Sequence, residues 1–246
     1  MLAKRIIPTM LVRGRTLVKG ERFDSWRSIG HALQAARIHA MRGVDELCIL
    51  DISATAEGRG PDLDMVRELS EGCFIPITVG GGVHTLDHIN QLLRAGADKV
   101  AIGTAFWETP KLVPMASAAF GRQAIVVSVD VVQANVSFRS GHEIVAIDPV
   151  DMARAAEGAG AGEILLQSVD RDGTQQGYDL ALIRQVSAAV SIPVIASGGC
   201  GSYDDMLAAF KAGADGCASG AMFAFTENTP RGAARYLQSH GMEVRL

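Results

Sequence analysis

The glycines of this sequence suggest a chemical role by their spacing, because they form several matched glycine-rich turns. Each turn directly follows an apolar segment. Without a Cβ, the backbone lets amide N–H groups approach an anion, and the start of a following helix favours phosphate. The matched turns predict two phosphate sites related by a pseudo-twofold axis, suited to a ligand phosphorylated at both ends. The glycines are Gly81, Gly82, Gly103, Gly198, Gly199 and Gly220.

Carboxylates stand at or just beyond the ends of three predicted strands. Asp130 closes the apolar run IVVSVD, while Asp51 and Asp172 follow two other runs. A charge that ends an apolar strand costs free energy unless it meets water or a partner, so each is a candidate for acid–base catalysis or substrate binding. Each can equally cap a turn or form a loop salt bridge, and this alternative stays open.

Other polar residues near the same strand ends suggest anion binding. Gly173 and Thr174 follow Asp172 and could bind phosphate or form a solvated turn. Lys19, in the first long loop, could reach over an anionic substrate or be an ordinary surface lysine. His84 and His88 share an i,i+4 face, but no carboxylate motif accompanies them, so a solvent-facing pair is expected rather than a metal site. No dinucleotide or nucleotide motif appears, and we expect no cofactor.

Four charged residues occur at the beginnings of predicted strands, each before apolar residues. If the strands form a closed parallel barrel, as argued below, their first residues converge around the barrel axis at the end opposite the strand C-terminal ends. Two cations and two anions can close a neutral ring there, whereas isolated charges would be costly. The ring could be a plug that seals the core, or a gate for something small and neutral. Its members are Arg5, Glu46, Lys99 and Glu163.

Alternating strands and helices must position these residues. We predict strands near 5–12, 46–51, 74–79, 98–103, 123–130, 163–168, 192–197 and 215–220. We predict helices near 31–42, 62–71, 85–95, 110–120, 149–159, 179–190, 202–212 and 229–240. Eight such units predict an α/β fold: a single-domain (β/α)8 TIM barrel over 1–246, with the mouth at the strand C-terminal ends. The longest stretches without a helix, 13–29 and 131–147, follow strands one and five.

An internal repeat divides this barrel into two halves. Residues 79–106 and 196–223 align without a gap, 117 positions apart, and ten of the 28 positions are identical. A unit of this length is too long for a solenoid and predicts half-barrels of roughly 1–120 and 121–246. The alternative is that both copies are ordinary βαβ units, because their shared Ala-Gly-Ala-Asp is a common helix-to-strand turn.

Composition excludes several functional classes. A net charge of −4 gives no general attraction to nucleic acid, and no apolar run approaches the length of a membrane span. The first residues contain no signal-peptide core. The four cysteines lack paired metal spacing and are expected to be reduced core thiols, which indicates a cytoplasmic protein.

Eight segments together resemble the cyclase subunit of imidazole glycerol phosphate synthase, the HisF family, over nearly the whole chain. They are LAKRIIP at 2–8, VDEL at 44–47, LDI at 50–52, IPITVGGG at 75–82, LLRAGADKV at 92–100, GEILL at 162–166, DRDGT at 170–174 and IPVIASGG at 192–199. The resemblance implies a (β/α)8 barrel that receives ammonia from a glutaminase subunit on its N-terminal face. Ammonia would then pass through the barrel to a bisphosphate ribonucleotide.

The resemblance also assigns roles to individual residues. The four ring residues match the family's ammonia gate, and Asp98 matches a residue that faces the glutaminase. One phosphate site would use Gly82 and Thr104. The other would use Gly173, Gly199 and Gly220.

Departures from the family pattern affect the mouth. Leu11 stands where the family has an aspartate that works with the one matching Asp130 in acid–base cyclisation. Loss of one acid–base group typically costs about 10²–10⁴-fold in rate. Gly103 replaces a phosphate-binding asparagine, Ala221 replaces a serine, and the loop after Asp130 is shorter than usual. Cyclase chemistry is therefore predicted to be weakened, while the ammonia entrance is complete.

Three functions remain open on the sequence. Relatives with leucine at this strand-one position resemble accessory proteins of surface-polysaccharide clusters, where the barrel carries ammonia to a third, sugar-amidating protein. A true cyclase of histidine biosynthesis, a lyase, could instead use Asp51 or Asp172 in place of the missing aspartate. The third possibility is a non-catalytic scaffold that binds a phosphorylated ligand. Whether the barrel is itself catalytic is left undecided.

Overall fold

The computed structural model describes residues 3–245. The strands are β1 (Arg5–Arg13), β2 (Thr16–Glu21), β3 (Asp24–His31), β4 (Leu47–Asp51), β5 (Ile77–Gly80), β6 (Lys99–Ile102), β7 (Ile125–Val132), β8 (Asn135–Phe138), β9 (Glu143–Val145), β10 (Glu163–Ser168), β11 (Val194–Ser197) and β12 (Gly216–Ser219). The helices are α1 (Ala32–Met41), α2 (Leu63–Gly72), α3 (Leu86–Arg94), α4 (Thr104–Glu108), α5 (Leu112–Phe120), α6 (Pro149–Gly158), α7 (Leu180–Ser187), α8 (Tyr203–Lys211), α9 (Ala221–Phe225) and α10 (Pro230–Ser239).

Eight parallel strands close into a barrel, and the predicted (β/α)8 fold is confirmed. The order around the barrel is β1, β4, β5, β6, β7, β10, β11 and β12, and β12 pairs with β1 again. Each predicted barrel strand lies within a few residues of its observed position. Closure leaves no barrel strand with an unpaired edge, and it brings all eight strand C-terminal ends to one mouth.

Two apolar layers hold the barrel together. The larger layer lies between strands and helices, where the helices bury their apolar sides. A smaller layer fills the barrel interior and consists of Ile7, Cys48, Ala101, Val126, Leu165, Ile195 and Ala218. Because the interior is filled with side chains, the polar residues are confined to its two ends.

The two long stretches that sequence analysis left without structure form β-hairpins over the mouth. β2 pairs antiparallel with β1 and with β3, and β8 pairs in the same way with β7 and β9. Strands β1 and β7 are the first and the fifth strands of the barrel. The alternation of polar and apolar residues in these stretches was too short and irregular to predict strands.

Helix starts are fixed by side chains at matched positions of the internal repeat. Thr85 accepts a hydrogen bond from the His88 amide at the start of α3, and Ser202 accepts one from the Asp205 amide at the start of α8. Such caps satisfy backbone donors that the helix itself cannot. None of the helices among residues 3–245 has both the length and the apolarity needed to cross a membrane.

Candidate functional site

Four charged side chains close a ring at the floor of the barrel, where the strands begin. Arg5 Nη1 lies 2.9 Å from Glu46 Oε2 and 2.9 Å from Glu163 Oε1. Lys99 Nζ lies 2.9 Å from Glu46 Oε2 and 2.9 Å from Glu163 Oε2. The charges alternate in sign around the axis, so the ring is neutral as a whole. All four residues were singled out in the sequence, and the structure brings them together.

The ring lies at the boundary between solvent and the interior layer. Glu46 is only 2% exposed and also accepts a 2.5 Å hydrogen bond from Thr78 Oγ1. Burial alone would lower the pKa of Arg5, but the carboxylates of Glu163 and Glu46 outweigh this effect and raise it. Arg5 therefore stays charged, and a neutral molecule entering the barrel from the floor would pass between the residues of the ring.

A cavity of about 360 Å³ opens at the other end, among the strand C-terminal ends and beneath the two hairpins. This volume suits a small-molecule ligand. Most of the residues proposed from the sequence for the mouth line it. Those residues are Leu11, Lys19, Asp51, Gly81, Gly82, Thr104, Asp130, Asp172, Gly173, Gly198, Gly199 and Gly220.

Asp130 projects into this cavity from β7. Its Oδ1 accepts a 2.9 Å hydrogen bond from Ser128 Oγ. Burial raises the pKa of Asp130 to about 6, the Ser128 hydrogen bond opposes this rise, and the nearby charge of Asp172 adds to it. A carboxyl with such a pKa can donate or accept a proton near neutral pH, as general acid–base catalysis requires.

Lys19 and Asp172 face the same cavity. Lys19 is 6% exposed, and its Nζ donates a 3.0 Å hydrogen bond to the Thr9 carbonyl. Burial lowers the pKa of Lys19 to about 8, against the opposing attraction of the Asp172 carboxylate. Burial raises the pKa of Asp172, while Lys19 and the Gln167 amide lower it. In the mouth, burial thus moves the pKa values of Asp130 and Asp172 upward and that of Lys19 downward, all toward neutral pH.

Leu11 occupies the wall of the cavity on β1. Its side chain is buried and lines the mouth. Alternation along β1 turns Arg5, Ile7, Thr9 and Leu11 to the barrel interior, so any residue at position 11 faces the ligand space. A hydrocarbon therefore stands in the cavity where the resemblance expects a carboxylate. Asp172 is the cavity carboxylate whose charge affects Asp130.

Two predicted site residues of the mouth make local structural contacts. Asp51 ion-pairs with Arg59 at 2.7 Å and accepts hydrogen bonds from the Ser53 and Ala54 amides, so its carboxylate caps a turn while it lines the cavity. Thr174 is not among the cavity-lining residues, because its Oγ1 donates instead to the Arg171 carbonyl at 2.8 Å.

Asp98, expected at a partner interface, lies on the floor side of the barrel. Its Oδ2 accepts a 2.8 Å hydrogen bond from the Ile77 amide, which joins the helix-to-strand turn to the neighbouring strand. Asp215 makes the matched contact to the Val194 amide in the second copy of the repeat. Both copies of Ala-Gly-Ala-Asp therefore serve the fold, and the exposed position of Asp98 also leaves it open to a partner.

At the glycine turns around the cavity, the backbone lies very close to neighbouring atoms. Gly82 adopts a φ of 68°, and an added Cβ would lie 2.5 Å from the Arg59 carbonyl oxygen. At Gly220, an added Cβ would lie 1.8 Å from Lys19 Nζ. Larger residues would therefore displace either a loop or the buried amine. Turns that bring so much backbone to the cavity could hold a phosphorylated ligand at two places.

His84 and His88 follow the first of these turns and contact it. Their Nδ1 atoms lie 2.9 and 3.1 Å from the Gly82 carbonyl oxygen, and their rings meet edge to face. No cluster of three or more metal-ligating side chains occurs within residues 3–245. The two histidines therefore support the turn that carries Gly82.

Several cavity residues were missed in the sequence. Ser128 lies two positions before Asp130, and the period of a strand could have placed it on the same side. Thr9, Gln167 and Ser219 also line the cavity. The sequence around a polar strand residue does not show whether its side chain faces the barrel interior. Phe23 and Trp26 could not be placed there without knowing that their loop is a hairpin over the mouth.

Comparisons with known proteins agree with this architecture. The model of the family described as histidine biosynthesis protein matches residues 5–229. The chain is 42% identical, over an alignment of 253 positions, to the imidazole glycerol phosphate synthase subunit HisF of Clostridium botulinum (strain Okra / Type B1). That alignment covers 100% of both chains.

Proposed function

The chain belongs to the histidine biosynthesis protein family, and from this premise we propose that it is a HisF-like barrel that accepts ammonia from a glutaminase subunit. Ammonia would enter through the charged ring on the floor and travel along the barrel axis to the cavity at the mouth. The relative from Clostridium botulinum is named as one subunit of a synthase, which supports a partner for this chain too.

The arrangement of charges supports this route. The ring is neutral as a whole, and its carboxylates can accept hydrogen bonds from ammonia. Above it lies the apolar layer that includes Ile7 and Leu165, which favours a neutral molecule over ammonium. Asp98 on the same side is proposed to face the glutaminase. The phosphate sites at the mouth, with Gly82 and Thr104 on one side and Gly173, Gly199 and Gly220 on the other, would hold the ligand.

One observation determines our choice of downstream reaction: Leu11 faces the cavity beside the retained Asp130. Without a carboxylate at this position, the two-carboxylate cyclisation of the family lacks one group. We therefore propose that the chain conducts ammonia for the amidation of a surface-polysaccharide sugar, a reaction in which a third protein takes part. Asp130 and the glycine turns would be retained from a cyclase ancestor.

A specific observation also favours a second function, the cyclase reaction of histidine biosynthesis. Asp172 shares the cavity with Asp130, and burial raises the pKa of both carboxyls. Asp172 could therefore supply the missing group, and the full-length similarity to a HisF subunit supports this candidate at least as well as the first. Turnover of the bisphosphate ribonucleotide with ammonium salt by the isolated chain would distinguish the two.

The ammonia route is tested by reversing a charge in the ring. In the complex with its glutaminase, Lys99→Glu is expected to lower glutamine-dependent product formation and to leave the reaction with added ammonium salt unchanged. Lys211→Glu, on an exposed helix surface, is the matched control. Circular dichroism would verify that both variants fold.

Two results would oppose the ammonia route. Equal losses with glutamine and with ammonium salt would mean that the ring serves only folding. Unchanged glutamine-dependent activity in folded Lys99→Glu would instead favour a phosphate-binding scaffold that regulates its partner.

A further inference from the structure

The β8–β9 hairpin lies over one half of the ligand cavity. Its tip, residues 139–141, reaches across the mouth to the far side of β6, where the Ser140 hydroxyl donates a 3.4 Å hydrogen bond to the Ile52 carbonyl, just after β4. Because β5 lies between β4 and β6 in the barrel, the tip passes over the turn that carries Gly82. The hairpin therefore covers the end of the cavity that Gly82 and Thr104 line.

Three contacts join the tip of this hairpin to α4. The Arg139 amide donates a 2.9 Å hydrogen bond to Thr104 Oγ1, at the first residue of that helix. The Arg139 guanidinium forms an ion pair with Glu108, at its last residue. Phe138 stacks on Trp107, with ring centroids 5.5 Å apart. Arg139 thus supplies two of the three contacts that hold the hairpin closed over the cavity.

The backbone of the tip is strained. Arg139 and Ser140 have φ values of 53° and 59°, in the left-handed region that residues with a side chain rarely adopt. Such a conformation costs free energy, persists where neighbouring contacts impose it, and is concentrated at ligand clamps and switch regions. The ion pair here contributes little to folding, since the side chains of Arg139 and Glu108 are 58% and 43% exposed. A strained tip held by exposed contacts over a cavity points to a role in ligand binding.

Thr104 offers the ligand a hydrogen-bond donor. It lines the cavity, and its hydroxyl accepts the Arg139 hydrogen bond without donating to another group among residues 3–245. Linked hydrogen bonds polarise one another, so a phosphate oxygen that accepts from this hydroxyl would strengthen the bond between Thr104 Oγ1 and the Arg139 amide. The matched residue in the second copy of the repeat, Ala221, has no hydroxyl, so the second copy cannot make this link.

We propose that Arg139 is a positioning residue, which couples closure of the β8–β9 hairpin to a phosphate group of the ligand through the Thr104 hydroxyl. This inference rests on the proposed phosphate site at Gly82 and Thr104 and adds the element that closes over it. With phosphate bound, the hydroxyl donates to a phosphate oxygen and accepts from the Arg139 amide at the same time. Without phosphate, that hydrogen bond is weaker and the strain of the tip favours opening, which admits the ligand. Because such coupling is reciprocal, the hairpin contacts also lower the Kd of the phosphate.

Hydrogen–deuterium exchange of the whole chain, read by mass spectrometry, tests the coupling with inorganic phosphate as the probe. Sodium chloride at the same ionic strength is the control for salt. We expect phosphate to slow exchange in the peptide that spans 135–145, both in the wild type and in Thr104→Ser, which keeps the hydroxyl. Thr104→Val has the same size without the hydroxyl and should lose this protection. The peptide that spans the Gly173 turn should remain protected by phosphate in every variant, because it belongs to the other proposed site.

Arg139→Ala tests the contribution of the ion pair with Glu108. The variant keeps the backbone amide, so protection of 135–145 should persist, but its midpoint should move to a roughly threefold higher phosphate concentration. Arg139→Lys, which keeps a cation, should recover part of this shift. Arg154→Ala is the matched control, because Arg154 pairs with Asp151 on the surface of α6 and its side chain is 60% exposed, similar to that of Arg139. Its midpoint should equal that of the wild type.

Three results would overturn the proposal. The first is a wild-type hairpin that phosphate does not protect, whether or not the Gly173 turn is protected. The second is equal protection of the hairpin in Thr104→Val, and the third is the same midpoint for Arg139→Ala and Arg154→Ala. If Thr104→Val does not fold, the wild type and the arginine variants still decide. None of these results bears on the ammonia route, since the ring experiment measures glutamine-dependent product formation.

Discussion

Replacing Glu46 with glutamine should destabilise the protein strongly, because Glu46 joins both cations of the floor ring. The amide keeps the size of the side chain and can still accept from Thr78 Oγ1. It removes the charge that meets Arg5 Nη1 and Lys99 Nζ at 2.9 Å each. The ring then holds two cations and one carboxylate, that of Glu163.

The expected loss can be estimated from burial. Removal of one partner from a buried ion pair costs about 3–5 kcal/mol. Arg5 and Lys99 keep Glu163 and are 22% and 16% exposed at their side chains, so we expect the lower end, about 3 kcal/mol. Removing a cation as well, in Glu46→Gln/Lys99→Met, restores neutrality. The double variant should therefore be more stable than the sum of the two single changes implies.

Urea unfolding followed by circular dichroism measures these differences. Arg67→Met provides the control, since Arg67 pairs with Asp64 on the surface and should change stability by less than about 0.5 kcal/mol. A loss for Glu46→Gln as small as that of the control would refute the reasoning, as would strict additivity in the double variant. Either result would mean that the ring residues do not depend on one another.

Further predictions concern the mouth. Burial raises the pKa of Asp130 to about 6, so this carboxyl opposes folding increasingly as the pH rises from about 4 to about 6, and by a constant amount at higher pH. Asp130→Asn should therefore stabilise the protein above about pH 6 by at most about 3 kcal/mol, with no gain below about pH 4, as measured by urea unfolding across pH. Ser128→Ala removes the hydrogen bond that lowers the pKa of Asp130, so carbon NMR titration should show a higher pKa. Gly220→Ala places a Cβ 1.8 Å from Lys19 Nζ and should lower the midpoint of thermal unfolding, whereas Gly103→Ala, at the matched position, meets only the Ser128 Cβ at 3.8 Å and should not.

The sequence predicted the barrel because its elements are strongly periodic and repeated. Short apolar strands ended by glycine, followed by amphipathic helices, leave few alternatives to a closed parallel sheet. The floor ring could be anticipated for the same reason. Charges such as Arg5 and Glu163 directly precede buried strands, and the fold places strand starts around one axis.

The mouth was less predictable because its contacts join distant loops. Asp51 was expected to meet substrate, yet its ion pair with Arg59 depends on a turn that the sequence does not mark. The sequence could not decide whether Lys19 lies in the cavity or on the surface, because only the antiparallel pairing of β2 with β1 turns its side chain inward. Thr174 was expected near phosphate, but its hydroxyl bonds back to Arg171 within its own turn.

The central claim is that the floor of the barrel still admits ammonia while Leu11 has removed one of the two carboxylates needed for cyclisation. Its most direct test is the rate at which the isolated chain converts the bisphosphate ribonucleotide with ammonium salt, compared between wild type and Leu11→Asp. We expect no turnover above background for the wild type, and a gain of roughly 10²-fold or more when the carboxylate is introduced beside Asp130. Wild-type turnover at the rate of an ordinary enzyme, with no gain in Leu11→Asp, would contradict the account.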